Sequence, residues 1–451
     1  MIIEEIGTGR RNLFWTLFHI GLGFACTVTP ITLIVWFYLI LLLNFGKSVS
    51  KLQQKSPFYF ILLSSYLLPF EVLGRMAQTS PYLPYEMSKY LLLFFGLLGV
   101  SISGVNNHKG IWMAILMIPA AFFDMSNQAS YFHLIFYFLA PFAIGLIYAF
   151  SYQLELSKTD FDQLLKLIWL GCLSSLIFTY IKTPDFEQIN FTLKAQFDTT
   201  AGHSSNQVST LLGLGMFLSF YSIYKNLQFS GYRLLDVLIL GGFTFQGLLS
   251  FSRGGMMVGA LGILLLIFIP EKNERQKKTN NSLFIAFISI FVLYGVFEIA
   301  NQLTGGNLLL RYQGQTEGTL LGTQELTANK FTSGRVDIFS QDINLWLSDS
   351  FTILFGVGIG ASSFLREVNA EPVATHVELS RFLAEHGLLG MIYSLFFFAI
   401  PFSVWKANKK SDYRVILTVL TIIAVATTFH AAIRTFVTPL LIVLGVLNVK
   451  K

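Results

Sequence analysis

Two stretches of this sequence concentrate residues whose types suit chemistry. In 249-LSFSRGGMMVG-259, Ser252 and Arg253 precede paired glycines at the junction of two apolar runs. A guanidinium is a planar fork that matches phosphate oxygens bidentately, and glycines let a backbone or ligand approach closely. Arg253 is therefore a candidate phosphate ligand, with a snorkelling arginine at a tight turn as the plain alternative. Arg335, in 332-TSGRVDIF-339, follows a Thr/Ser cap, begins an amphipathic stretch and is a candidate second ligand. The other stretch, 375-THVELSRFLAEHGLLG-390, holds two histidines, two glutamates and an arginine just before an apolar run. Its spacing predicts a helix capped by Thr375, with Glu378 completing a capping box. Glu378, Arg381 and Glu385 then form one charged row, either a surface salt-bridge ladder or the wall of a site. His376 falls at the first helical position, where the positive helix end disfavours an imidazolium. A neutral imidazole there suits a general base for a hydroxyl nucleophile. His386 reads as interfacial packing. His430 and Arg434, four residues apart, share a face if their helix continues that far.

The elements that position these groups are apolar. Of 451 residues 53% are hydrophobic and only 12% charged, whereas soluble domains are about a quarter charged. The chain is expected to be an all-α polytopic membrane protein. Met1–Asn12 leads into apolar sequence with no small-residue cleavage site. Cys26 and Cys172 both lie in apolar runs and build neither a disulfide framework nor a zinc site. No His, Cys or carboxylate cluster has metal-ligand spacing. The motif 356-GVGIG-360 lacks a surrounding strand–helix nucleotide unit and reads as a loop needing flexible backbone. Asp160-Phe-Asp162, in a short connector, reads as coincidence.

Runs of roughly spanning length cover 13–28, 31–45, 57–70, 88–104, 111–123, 131–150, 163–181, 207–224, 234–250, 255–270, 282–300, 387–405, 414–430 and 435–448. The expected count is 12–14, because Pro30 makes the first pair either a tight hairpin or one kinked span. Strict alternation places 1–12, 46–56, 105–110, 151–162, 225–233, 271–281, 406–414 and 450–451 in the cytoplasm, with 19 of the 31 Lys and Arg. The net charge of +6 thus reads as membrane orientation rather than a nucleic-acid surface. Three regions follow: residues 1–300 with a smaller outer loop near 182–206, a large folded outer loop over 301–386, and closing spans over 387–451. The two long loops face away from the cytoplasm, where an activated substrate must arrive already attached to lipid. A transporter or flippase is the rival class. Its coupling residues belong near the midplane, whereas Lys166, Asp236, Arg253 and Glu298 lie near span ends.

The run SFSRGG, the loop GVGIG and the segment THVELSRFLAEHGLLG, in that order around a long outer loop, resemble the O-antigen ligase/O-antigen polymerase family. Residues 202-GHSSNQVSTLLGLGMF-217 resemble its Asn-containing entry into a span, which adds Asn206 to the candidates. The likeness covers about residues 200–405 and departs at Val377 and Glu378, where many members read His-Asn. It implies a fold like the large membrane glycosyltransferases in the bacterial inner membrane, and a metal-independent, inverting glycosyltransferase without cofactor. The implied donor is an undecaprenyl-pyrophosphate-linked glycan. The acceptor is a lipid A-core sugar for a ligase and a lipid-linked glycan for a polymerase; a protein-glycosylating relative is a further possibility. By position, Arg253 matches the arginine of the SRGG motif, His376 the loop histidine and Arg335 a second pyrophosphate-binding arginine. Arg311 and Gly322 fit the Arg-x10-Gly spacing of polymerases.

Overall fold

A computed structural model describes residues 2–7, 11–53, 58–269, 280–317, 326–327, 335–366, 377–431, 433 and 435–450. Thr375, His376, Gly322 and Arg434 lie outside the described residues. Among the described residues the chain is overwhelmingly helical, as expected. Strands are confined to two short pairs: Glu155–Ser157 lies parallel to Asn448–Lys450, and Thr316–Glu317 antiparallel to Leu326–Thr327.

Each apolar run of the sequence coincides with helix. Five helical stretches are long and apolar enough to cross a membrane: Ile31–Lys51, Phe58–Met76, Tyr131–Ser151, Lys158–Lys182 and Glu378–Ala407. Asn12–Val28, Met87–Ser103, His108–Phe122, Arg253–Phe268, Phe287–Leu303 and Arg414–Thr427 are shorter apolar helices. Large apolar side chains such as Phe14, Leu42, Phe268, Phe287 and Phe402 stand exposed on their outsides. An apolar surface of this extent suits lipid rather than water. Pro30 makes a hairpin: the Phe18 and Trp36 rings, on the two sides of the turn, lie 4.6 Å apart, which one continuous helix would forbid.

The helices Lys158–Lys182 and Ser205–Lys225 are buried along most of their length and form the centre. Trp169 Nε1 donates to Ser219 Oγ between them at 2.8 Å. The helix Ser205–Lys225 is also crossed closely by Arg253–Phe268, because small residues face each other: a Cβ on Gly213 would meet the Gly255 carbonyl, and one on Gly259 the Gly213 carbonyl.

Segments expected on one side of a membrane contact each other at one end of the molecule. Asn12 Nδ2 donates to Gln228 O, Asn106 Nδ2 to Phe150 O and Gln153 N to Val446 O. Segments of the opposite set meet likewise: Arg75 bonds Gln207, Asn307 bonds Phe191 O and Ile359 N bonds Ala120 O. Lys166, inside a helix, is held by Ile6 O and Asn12 Oδ1 at 2.6 Å each.

The described part of 301–386 is folded. It holds the helices Asn307–Tyr312, Arg335–Trp346, Ser350–Phe355 and Ser362–Leu365, and the second and third are tied by Trp346 Nε1 donating to Ile353 O at 3.0 Å and by an Asp349 capping box. The following helix begins at Glu378 with Val377 as its cap, two residues later than the sequence spacing suggests. Glu378 is therefore not the third residue of a Thr375 box; its carboxylate turns to Arg381 instead. Gly387, at φ 59° and ψ −139°, breaks the helix. The carbonyls orphaned there are taken up by the glycine loop: Val357 N donates to Ala384 O at 2.8 Å and Gly358 N to Glu385 O at 3.2 Å. Gly356, Gly358 and Gly360 all have positive φ, and a Cβ on Gly356 would strike the Glu385 backbone. That is why 356–360 is glycine-rich.

Candidate anion site at the Arg253 turn

The turn at 250–253 joins two antiparallel helices, Arg233–Leu249 and Arg253–Phe268, and Arg253 is the first residue of the second. Its guanidinium is buried, and Nη1 donates to Arg311 O at 2.8 Å. Arg311 reaches back, with Nε donating to Phe251 O at 3.3 Å and Nη1 to Thr316 Oγ1. Arg311 is pushed down to about 10, first by burial and then by the guanidiniums of Arg253 and Arg335. Arg335, first residue of its helix, is lowered by burial and by Arg253. Three guanidiniums thus feel one another in a largely buried place. An arginine does not shed its proton; the repulsion is a standing cost that a bound anion relieves. Two buried polar atoms here, Arg335 Nε and the Tyr312 hydroxyl, have no hydrogen-bond partner among the described residues. Buried groups of this kind normally have one, which makes this spot a candidate place for a polar ligand.

Behind the arginines is a hydroxyl and amide network. Ser252 Oγ donates to Asn206 Oδ1 at 2.8 Å, and Ser209 Oγ donates to Ser252 Oγ at 2.9 Å. Thr210 Oγ1 and His430 Nε2 lie 2.9 Å apart. The glycines after Arg253 serve packing: a Cβ on Gly254 would enter the His430 ring, and one on Gly255 the Ser209 backbone. His430 does not extend a helix, which ends at Thr427, so the expected shared face with Arg434 is not formed by helical continuation. His430 reaches the site through the turn that follows.

Glu378, Arg381 and Glu385 are not a surface ladder. All three are buried, with Arg381 bonded to Glu378 and, at 2.8 Å, to Glu385. They join a second buried pair, Arg366 Nη2 to Asp342 Oδ1 at 2.7 Å, through Ser362 and Ser380. Burial pushes the Asp342 carboxyl above its ordinary range while Arg366 pulls it back. His386 is buried rather than interfacial, its ring edge-on to Phe382. This network clamps the loop helices to the helix Glu378–Phe398. It adjoins the arginine site at one point, where Glu378 N donates to Thr428 O at 3.3 Å, two residues from His430.

Sequence reasoning missed a further charged group. Arg75 pairs with Glu71 at 3.0 Å and Glu86 at 3.5 Å, Lys89 pairs with Glu71 at 3.2 Å, and Arg75 Nη1 donates to Gln207 Oε1 at 3.2 Å. Gln207 is the neighbour of Asn206, so the two polar clusters meet on the first turn of the helix Ser205–Lys225. The i, i+4 spacing of Glu71 and Arg75 just beyond the apolar run 57–70 was the available signal. Searches of protein-family models, of curated proteins and of solved structures found no match to this chain.

Proposed function

We propose that the chain is a membrane glycosyltransferase that moves a glycan from undecaprenyl pyrophosphate to a lipid A-core sugar hydroxyl on the periplasmic face of the bacterial inner membrane. This is an O-antigen ligase-like, inverting and metal-independent reaction. The observation that carries it is the arginine cluster at the 250–253 turn: Arg253 Nη1 bonds Arg311 O, Arg311 Nε bonds Phe251 O, and Arg335, whose Nε has no partner among the described residues, is close enough to depress Arg311. In the proposed step the acceptor oxygen attacks the anomeric carbon as the bond to the pyrophosphate oxygen breaks. Undecaprenyl pyrophosphate leaves with the bonding pair, and the hydroxyl proton passes to His376. Fixed guanidiniums stabilise the charge growing on the leaving group, and anchoring both substrates in lipid confines the encounter to the membrane surface. Lipopolysaccharide assembly is the setting this chemistry fits, with membrane lipids as surroundings and no nucleic-acid partner.

A second reading, a polymerase that extends a lipid-linked glycan, gains from the presence of Arg311 among the three. The readings share a donor and differ in acceptor. Product mass from a defined undecaprenyl-pyrophosphate glycan, offered with either acceptor, separates them. Turnover without an energy source excludes transport as the main role.

Arg253→Lys keeps the charge and loses the fork. Turnover should fall about 10²–10³-fold, the scale for removing one preorganised donor from developing charge. Wild-type turnover and donor affinity would remove Arg253 from the mechanism. The proposed topology has 12–14 spans, with residues 1–12 and 450–451 both cytoplasmic, and the segregated contacts at the two ends support it. In a background lacking Cys26 and Cys172, Tyr131→Cys should react with an impermeant thiol reagent outside intact spheroplasts, and Lys109→Cys should not. Equal labelling would overturn the orientation.

A further inference from the structure

Away from the arginines, two cavities adjoin. One, of about 540 Å³, lies in the first hairpin between Phe18, Gly21, Leu22, Ala25, Val35 and Trp36 and is almost wholly apolar. The other, of about 400 Å³, is lined by Cys26, Gln78, Lys182, Asp198 and Gly202 among others, with polar and apolar surface in near-equal parts. Both are of a size usual for small-molecule sites, about 300–1,000 Å³. No residue lines both, but their linings meet at the hairpin turn: Ala25 and Ile31 line the first, and their sequence neighbours Cys26 and Pro30 the second. The apolar cavity flanks the exposed Val35 and Ile31, so it opens towards the lipid-facing surface. An apolar groove ending in a polar chamber has the shape of an amphiphile.

The chamber's side chains indicate the head group. Lys182 donates, Asp198 accepts and the Gln78 amide does both. A head bearing a single charge would be repelled by one of the first two and a zwitterionic head would pair with both but leave the Gln78 amide over, whereas sugar hydroxyls use all three. The chamber also shares a wall with the arginine site. Asp198 and Gly202 of the 183–204 loop line the chamber, while Thr199 Oγ1 donates to Leu249 O at 2.7 Å and Gln196 N to Ser250 O at 3.1 Å. Those carbonyls belong to the turn that presents Arg253.

We infer that groove and chamber bind a glycosylated lipid, chain in the groove and first sugar in the chamber, and that this lipid is the acceptor. The second clause rests on the transferase reading; the first does not. Because a loop separates the chamber from the arginines, the acceptor head spans more than one sugar, so that its far hydroxyl reaches the donor.

A Cβ added to Gly21, which lines the groove, meets nothing within 4 Å, so the side chain of Gly21→Phe has room to start into it. The test uses the full chain in detergent with a dodecyl glucoside bearing a diazirine on the sugar, and mass mapping of the adducts. Adducts should concentrate on residues 76–78 and 198–202, fall in Gly21→Phe by about tenfold, the scale of displacing a few chain carbons, and persist in Leu17→Phe on the exposed face. Adducts spread evenly over the apolar belt, or indifferent to Gly21→Phe, overturn the site. In the transfer assay, Gly21→Phe should raise the acceptor KM about tenfold and leave the donor KM unchanged. An unchanged acceptor KM overturns the acceptor assignment. Absence of transfer in the wild-type protein removes the transferase reading and that assignment with it, while the adduct map still decides the site.

Discussion

Replacing His376 with alanine is expected to lower glycosyl transfer by about 10²–10⁴-fold with donor binding nearly intact, because base assistance acts in the transition state. His376→Gln separates the possible roles. If the imidazole takes the proton, glutamine fails as alanine does and the acid limb of the pH–rate profile disappears; that limb reflects protonation of a group whose ordinary pKa is about 6.5. If the residue only orients the acceptor, glutamine retains much of the rate. The profile is measured at saturating donor for wild type and His376→Gln, and an unchanged rate and profile would end the base assignment. Two residues further on, the described chain is tied to the anion site. Glu378 N is bonded to Thr428 O, and His430, just beyond, packs on Gly254 next to Arg253. The start of the helix is thereby tied to the anion site.

Asp342→Ala is expected to destabilise the protein by about 3–5 kcal/mol, the usual cost of leaving a buried ionic partner uncompensated. Arg366 and Asp342 side chains are both 0% exposed, so water cannot replace the lost carboxylate. Asp342 also accepts from Ser380 Oγ at 2.6 Å, so the substitution frees the helix Arg335–Trp346 from the helix Glu378–Phe398. Arg335 sits seven residues before Asp342, two turns back on the same face. Loss of the clamp should therefore weaken donor binding as well as lower the unfolding temperature. Asp342→Asn keeps the acceptor oxygen and should lose less of both. A melting temperature in Asp342→Ala equal to wild type would show that the loop helices are held by something other than this pair.

What could be read from the sequence was what is local. An apolar run of spanning length becomes a helix whatever its neighbours, and Pro30 breaks a helix wherever it stands, so the helices were legible from residue 12 onward. Arg253 and Arg335 were legible as candidate phosphate ligands because a guanidinium in an otherwise apolar chain needs a partner. Their nearness to Arg311 was not, since it depends on the 307–312 helix folding back onto the Phe251 carbonyl. The row of Glu378, Arg381 and Glu385 was visible, but not its burial, because Asp342 and Arg366 come from a loop without periodicity. The glycines of the SRGG run were read as letting a backbone or a ligand approach closely, and at Gly255 it is the Ser209 backbone that does so. Glu71, Arg75 and Lys89 were overlooked because the apolar residues around them dominate any window average.

The parallel pairing of Glu155–Ser157 with Asn448–Lys450 bears on how the molecule comes into being. The two strands are about 300 residues apart, so the first leaves the ribosome long before its partner exists. Until then the connector between the helices Tyr131–Ser151 and Lys158–Lys182 has an unpaired edge, and the central helix it leads into lacks that brace. Assembly is accordingly ordered in time: most helices can enter the bilayer and pack early, but the bundle is latched at this connector only when residues 448–450 arrive. A ribosome stalled between these two points would leave an inserted but unlatched bundle, a natural substrate for membrane quality-control proteases.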